Sequence, residues 1–419
     1  MQNFLDLKKP SEFWTAIKEK INIKELEKEK VNFENSINRV LAEEINALED
    51  LPSFHRSTVD GYAVCSKDIQ GVSESLPAYL DLIGEVEMGK ETELTVKEGE
   101  AAYIPTGGML PEGADCVVMV EHTEQISEEM IESYRSAGVG ENIIKKGEEI
   151  EKGETIFKKG KRIKPRDMGA LAGLGLTDVL VYKKPKIAII STGDELITPE
   201  EEIHFGQIRD INTYTISSLL KEVGADVIKE GIIEDTYQEL KRSIEKHLEA
   251  DLILVSGGSS AGIKDITVDV INELGEPGVL IHGLKVKPGK PTILGQINQT
   301  PIMGLPGHPG SAWMITNKFV KPLVKTICGE YEIGIIESEI EKDLIRQSAV
   351  LNRNLSSDRG REEAVPVKKV HKDGKVYADP ILGKSSFMRI FIESDGYIEI
   401  ESENEGLKKG SNVEIIYFN

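Results

Sequence analysis

Between Lys186 and Cys328 the chain alternates strand-like and helix-like segments at a spacing that few folds accept. KIAII, ADVIKEGII and LILVS read as strands, and Thr213 to Val223, Tyr237 to Ala250 and Ile266 to Leu274 read as helices. Such alternation requires parallel strands with right-handed crossovers, so it predicts a doubly wound, mostly parallel sheet with helices on both faces. In that architecture ligands bind at the carboxyl edge of the strands, where the connecting loops converge. Four loops fall there: STGDEL (191–196), SGGSSAGIKD (256–265), KVKPGKP (285–291) and GLPGHPGSA (304–312).

A chain of 419 residues is too long for one ordinary core, since single domains hold roughly 100 to 200 residues. Residues 11–28 and 33–45 read as helices, with Phe13, Ile17 and Ile21 at helical spacing and Ser11 as a cap. From Leu51 to Ile150 short alternating segments are broken by DG, GK, GE, GG and EG pairs, which predicts a β-rich module with strands near 62–64, 79–86 and 116–120. Residues 145–181 add further GE and KG turns and a small helix, so the chain is expected to return beside the N-terminal helices. After Cys328 the helical period fades, and EEAVPVKKV, KVYADPIL, GYIEIES and NVEIIYF predict a small β-barrel. The fold class expected is multidomain α/β plus β: a discontinuous N-terminal domain (1–50 and 151–182), a β-rich domain (51–150), a central α/β domain (183–330) and a C-terminal β-barrel (331–419).

Composition narrows the function. With 51 basic against 72 acidic side chains the formal charge is -21, which opposes nonspecific binding to a phosphate backbone, so no nucleic-acid partner is expected. Attraction for an anionic ligand has to be built locally. The opening residues MQNFLDLKKPSEFW lack a cationic leader with an apolar core, and apolar runs such as Ile187 to Ile190 fall far below the roughly 20 residues of a membrane span. A cytoplasmic chain without membrane contact is expected. Three cysteines without CxxC spacing favour neither a disulfide framework nor a cysteine zinc site. Seven scattered histidines, with no HExxH or GxSxG, leave zinc catalysis and hydrolase triads unsupported.

The four loops carry specific chemistry. Gly257, Gly258 and Gly262 allow backbone N–H groups to approach an anion, and the helix starting near Ile266 adds its dipole, worth about 0.3 to 1 kcal/mol per charge. The same glycines also suit plain tight turns, and Asp265 suits a helix N-cap. Lys285, Lys287 and Lys290 sit in a turn restrained by prolines and a glycine, which fits either a phosphate-bearing ligand or a solvated basic turn. Glu195, Asp210, Asp235 and Asp265 lie at or just after strand ends, where carboxylates can hold Mg²⁺ or cap helices. Asp235 in EDTYQEL is the strongest candidate for a cap. Asp60 and Thr106 adjoin DG and GG pairs that read locally as hairpin signals.

Eight collinear blocks draw these pieces together: SINRVLAEEINALEDLPSFHRSTVDGYAV, IPTGGMLPEGADCVVMVE, GENIIKKGEEI, STGDEL, GQIRDIN, SGGSSAGIKD, KVKPGKP and GLPGHPGSA. In this order they resemble the molybdopterin molybdenumtransferase family, known as MoeA in bacteria and as the E domain of gephyrin in animals. The resemblance implies an elongated homodimer of four domains, with a central domain of the molybdopterin-binding type. Its active site would be shared between the sheet-edge loops and the β-rich domain of the other subunit. The implied reaction inserts molybdate into adenylylated molybdopterin and releases AMP, assisted by Mg²⁺ or a similar ion. Asp60, Thr106, Glu149, Glu195 and Asp265 match family catalytic positions. Ser256, Gly257, Gly258, Gly262, Lys285, Lys287 and Lys290 would hold the pterin and nucleotide phosphates. Pro306 and Pro309 would shape the wall, and Glu195, Asp235 and Asp265 would position the cation.

Departures from the family pattern include SGGSSAG for SGGVSVG, GLPGHP for GLPGNP and Asp210-Ile211-Asn212 for DTN. Gly283 stands where some members carry lysine, with Lys285 as the substitute; Ser385 and Ser386 would reach the site from the C-terminal part. Two other activities remain open at this stage, molybdopterin adenylyl transfer by residues 183–330 and a pterin-binding scaffold. A separate molybdopterin adenylyltransferase is a candidate partner, and tungstate a candidate replacement for molybdate.

Overall fold

The computed structural model describes residues 7–257, 266–384 and 386–418. Helix α1 (Pro10–Lys20) starts on a proline, and Glu12 Oε2 accepts the Lys9 N–H at 2.7 Å, so its first turn is fixed by its own sequence. Its buried face of Phe13, Trp14 and Ile17 joins a core cluster that also holds Val40, Ala42 and Tyr182. It docks on the central α/β unit, with the Phe13 and Trp14 rings 4.9 and 5.8 Å from that of Phe319. The helices read over 11–28 and 33–45 shorten to α1 and a single turn at Phe33–Asn35. Lys28–Asn32 is instead a strand paired antiparallel with Asp178–Tyr182, because KEKVN alternates exposed and half-buried positions with period two. Ile45–Asn46 pairs with Thr155–Phe157, and α2 (Pro165–Gly173) closes over a core of Leu41, Phe157, Ile163, Leu171 and Val181. The two separated stretches therefore do share one core.

The β-rich module is a six-stranded sheet ordered Cys116–Met119, Gly61–Val64, Glu100–Ile104, Ala78–Glu85, Met130–Ser133 and Thr123–Ser127. Gly61 of the DGYAV block lies between Ile104 and Met119 in this ladder. A Cβ there would sit 2.0 Å from the Val118 carbonyl oxygen, so the glycine serves close strand approach as well as the turn.

The central sheet runs Asp226–Ile233, Lys186–Thr192, Leu252–Gly257 and Thr300–Leu305 in parallel, then Ile293–Ile297 and Pro277–His282 antiparallel. Lys186–Thr192 is buried after its first residue, as expected for a strand covered on both faces. Ile187 and Ile189 point to the side of α3 (Asn212–Glu222); Ala188 and Ile190 point to the side of α4 (Tyr237–Lys246) and α5 (Ile266–Leu274). Helices α6 (Pro309–Ile315) and α7 (Lys321–Ile327) cover the α3 side together with α1.

The C-terminal strands close into a five-stranded barrel. Glu362–Lys372 pairs with both Lys375–Pro380 and Gly396–Ile400, and Arg346–Leu351 and Asn412–Tyr417 complete the ring. Two helices missed by the sequence reading flank it, α8 (Ile336–Asp343) and α9 (Arg389–Glu393). Val286–Lys287, from the KVKPGKP turn, pairs in parallel with Glu362–Glu363 and extends the barrel sheet. Trp313 of α6 packs against Phe418, with ring centroids 3.9 Å apart. Among the described residues no helix is long and apolar enough to cross a membrane.

Two consequences are measurable. Burial pushes the Cys116 thiol up to about 12 and the Cys328 thiol up to about 11, whereas Cys65 is partly exposed. A thiol reacts as thiolate, so at about pH 8 the folded protein should show one titratable thiol with Ellman's reagent, lost in Cys65→Ser, and all three after denaturation. Rapid reaction of two in the native state would contradict this packing. Gly61→Ala should destabilise the protein by about 1 to 3 kcal/mol in chemical denaturation, the usual scale of an overpacked site; no change would show that the ladder relaxes around it.

Candidate active site

The parallel strands bring three of the four loops to one edge through Thr192, Gly257 and Leu305. Gly257 has φ +114°, and a Cβ on it would lie 2.0 Å from the Thr192 carbonyl oxygen. Only glycine lets these strand ends close up. Asn212, at the first turn of α3 and 8% exposed, donates its amide to Ser256 Oγ at 2.8 Å and to the Gly307 carbonyl at 2.9 Å. One side chain thus ties α3 to two sheet-edge loops, a role the sequence did not reveal. Ser256 is buried as its partner. Asp210, read earlier as an acidic candidate at the site, is buried and accepts the Thr213 N–H at 3.1 Å, so it caps α3.

The acidic side of the edge is differently arranged from the sequence expectation. Thr236 caps α4, accepting the Glu239 N–H at 3.4 Å, which leaves Asp235 for other work. Asp235 Oδ1 accepts the Thr192 hydroxyl at 3.0 Å, and its N–H donates to Asp194 Oδ1 at 3.2 Å. Glu195 is exposed on the same loop, with its carbonyl accepting the Ile208 N–H at 2.8 Å. Asp194, Glu195 and Asp235 are hard oxygen donors suited to a cation such as Mg²⁺. Among the described residues no group of three His, Cys, Asp or Glu side chains gathers closely enough to hold a metal by itself. Gly258, Gly262 and Asp265 lie outside the described residues.

The lysines of KVKPGKP divide between two clefts. The Lys285 N–H donates to the Lys8 carbonyl at 2.7 Å, and its own carbonyl accepts the Glu362 N–H at 2.9 Å. These bonds fix it between the N-terminal segment and the barrel, where it lines a cleft with Lys9 and Arg359. It lines a different cleft from the other two lysines. Lys287 and Lys290 line a separate cavity of about 330 Å³ with Ser311 of α6 and Arg361 of the barrel. Lys287 Nζ lies 3.1 Å from Glu363 Oε1. Pro306 is buried where its strand ends, and Pro309 opens α6. Gly289 has φ +113° and packs so closely that a Cβ would lie 2.3 Å from Ile315 Cδ1, which seats the turn on α6. Arg361 and Ser311 were missed in the sequence: Arg361 sits in the stretch least like the family, and a serine inside GLPGHPGSA carries no signal of its own.

In the β-rich module, Asp60 Oδ1 accepts both the Thr106 N–H at 2.7 Å and the Thr106 hydroxyl at 3.1 Å. Two blocks some 46 residues apart thus form one exposed Asp–Thr pair. Glu149 is also exposed, its N–H donating to the Leu51 carbonyl at 3.1 Å. Ser386 is exposed in the segment before α9, and Ser385 lies outside the described residues.

Three family models match in this order: the MoeA N-terminal region (domain I and II) over residues 9–175, the "Probable molybdopterin binding domain" over 188–326, and the MoeA C-terminal region (domain IV) over 348–418. The molybdopterin molybdenumtransferase of Haemophilus influenzae is 30% identical over 394 residues, spanning 93% of this chain and 94% of that protein. That of Bacillus subtilis is 30% identical over 398 residues, spanning 94% and 90%. Two crystal structures of the molybdopterin biosynthesis MoeA protein of Pyrococcus horikoshii align with a TM-score of 0.82 at 37% and 30% identity, covering 98% and 99% of this chain and 99% and 100% of theirs. With its α/β domain, β-rich module and closed barrel in the same order, the chain belongs to the molybdopterin molybdenumtransferase (MoeA) family.

Proposed function

We propose that this protein is an enzyme of molybdenum cofactor biosynthesis that inserts molybdenum from molybdate into adenylylated molybdopterin, with release of AMP. The observation that carries the reading is the cavity where Lys287, Lys290 and Arg361 converge on a protein of net charge -21. A tetrahedral dianion of molybdate or tungstate type needs such a local positive site against an overall negative field. The cavity is built jointly by the α/β unit and the barrel, which disfavours adenylyl transfer by the α/β unit alone.

The pterin and nucleotide phosphates are assigned to the sheet-edge loops beginning at Ser256 and Gly257 and ending at Pro306. Asn212 ties Ser256 to Gly307, so these two strand ends are held at fixed separation before substrate arrives. When bound, Mg²⁺ would neutralise the phosphates and favour cleavage of the phosphoanhydride. Asp194, Glu195 and Asp235, with Asp265, are the residues assigned to hold it.

Asp60 has one oxygen committed to Thr106, which directs the other outward. A homodimer in which this pair and Glu149 reach the sheet edge of the second copy would use it. The division into four domains at 1–50 with 151–182, 51–150, 183–330 and 331–419 goes with this reading, as do a cytoplasmic location and supply of substrate by a molybdopterin adenylyltransferase.

The test combines purified protein, adenylylated molybdopterin, Mg²⁺ and a molybdate series. AMP release and activation of a cofactor-free molybdoenzyme should rise together with molybdate. Asp60→Ala and Lys290→Ala should each lower both by roughly a hundredfold, the scale of one lost oriented charge, and chelation of the divalent ion should suppress AMP release. Pterin binding without turnover would make the protein a carrier and end the insertase reading.

A further inference from the structure

The oxyanion cavity contains a feature that its ligand does not require. Lys287 Nζ is held by both oxygens of Glu363, at 3.1 and 3.2 Å, across the strand pair that aligns these two residues. Glu363 is itself fixed: Ser357 Oγ donates to its Oε2 at 2.6 Å, and its side chain is only 14% exposed, against 41% for Lys287. Asp358 adds a second carboxylate, 3.9 Å from Lys287 Nζ and 3.5 Å from an Arg361 nitrogen. Three cations and Glu363 line the cavity and Asp358 stands beside it, so two carboxylates offset part of its positive charge.

Resting on the reading of this cavity as the molybdate site, we propose that Glu363 is a positioning residue for molybdenum transfer, fixing the direction of the Lys287 ammonium and weakening the grip on the oxyanion. A lysine side chain rotates about four carbons, so an ammonium without a fixed partner samples many directions. The Ser357–Glu363 pair removes that freedom before molybdate binds. The same negative charge opposes the incoming dianion, which keeps binding loose enough for the metal to pass on to the dithiolene. Affinity and turnover are therefore coupled in opposite senses through one carboxylate.

The full chain would be titrated with sodium molybdate by calorimetry, and turnover followed by AMP release, for the native protein, Glu363→Gln, Glu363→Asp and Ser357→Ala. Glu363→Gln removes a like charge and should bind molybdate roughly three- to tenfold more tightly, while kcat falls at least roughly tenfold as the ammonium loses its direction. Glu363→Asp retains the charge and should restore native affinity with part of the rate. Ser357→Ala leaves the charge count unchanged and should lower kcat with affinity unaltered, which also serves if Glu363→Gln fails to fold. Unchanged or weaker molybdate binding by a folded Glu363→Gln would overturn the proposal, as would parallel loss of affinity and rate. If the native protein itself does not bind molybdate while still releasing AMP from substrate, the cavity assignment fails first and the proposal with it.

Discussion

Parallel pairing of Val286–Lys287 with Glu362–Glu363 joins the α/β unit to the barrel through backbone hydrogen bonds, and the make-up of the cavity lined by Lys287, Lys290 and Arg361 follows from it. Without that register, Lys287 would face solvent from a mobile turn and Arg361 would belong to an unrelated surface loop. With it, a lysine from one unit and an arginine from the other share one cavity wall. Trp313 against Phe418 and Gly289 against Ile315 add apolar contacts around the same junction, so the charged groups are arranged on a packed base.

The sheet edge solves a different problem. Its loops must present backbone donors to a ligand, yet buried polar groups at strand ends are costly unless paired. The paired groups here are small: Asn212 to Ser256 and Gly307, Ser191 to Thr213, and Asp210 to the Thr213 N–H. These bonds satisfy the interior and leave the carboxylates of Asp194, Glu195 and Asp235 at the rim. Polar pairing below thus leaves hard oxygen donors at the surface above, held by groups already in place.

Much of this was legible in residue order. Hydrophobic strands covered on both faces and helices of fixed period set the central sheet, and Ile266–Leu274 formed with the bounds its pattern indicates. What escaped the sequence has physical causes. KEKVN falls between the two helices read over 11–28 and 33–45, and it becomes a strand only because Asp178–Tyr182, about 150 residues away, supplies the ladder. Lys285 and Lys287 look equivalent two residues apart, but backbone bonds to Lys8 and Glu362 assign Lys285 to another cleft. Asp210 and Asp235 are both carboxylates near helix starts; a local bond to the Thr213 N–H makes the first a cap, and a tertiary contact aims the second at Thr192. Arg361 is one charged residue in a charged loop, and only barrel closure marks it out.

The docking of α1 bears on how the chain comes to be assembled. Phe13 and Trp14 find Phe319 only after about 300 further residues have emerged, so the first helix made waits longest for its place. During synthesis at roughly 5 to 20 residues per second, an apolar face of Phe13, Trp14 and Ile17 stays uncovered for tens of seconds while the β-rich module folds behind it. The order of the sequence is thus not the order of completion: α1 closes the central unit, and its apolar face is an aggregation hazard on the nascent molecule until Phe319 has been made.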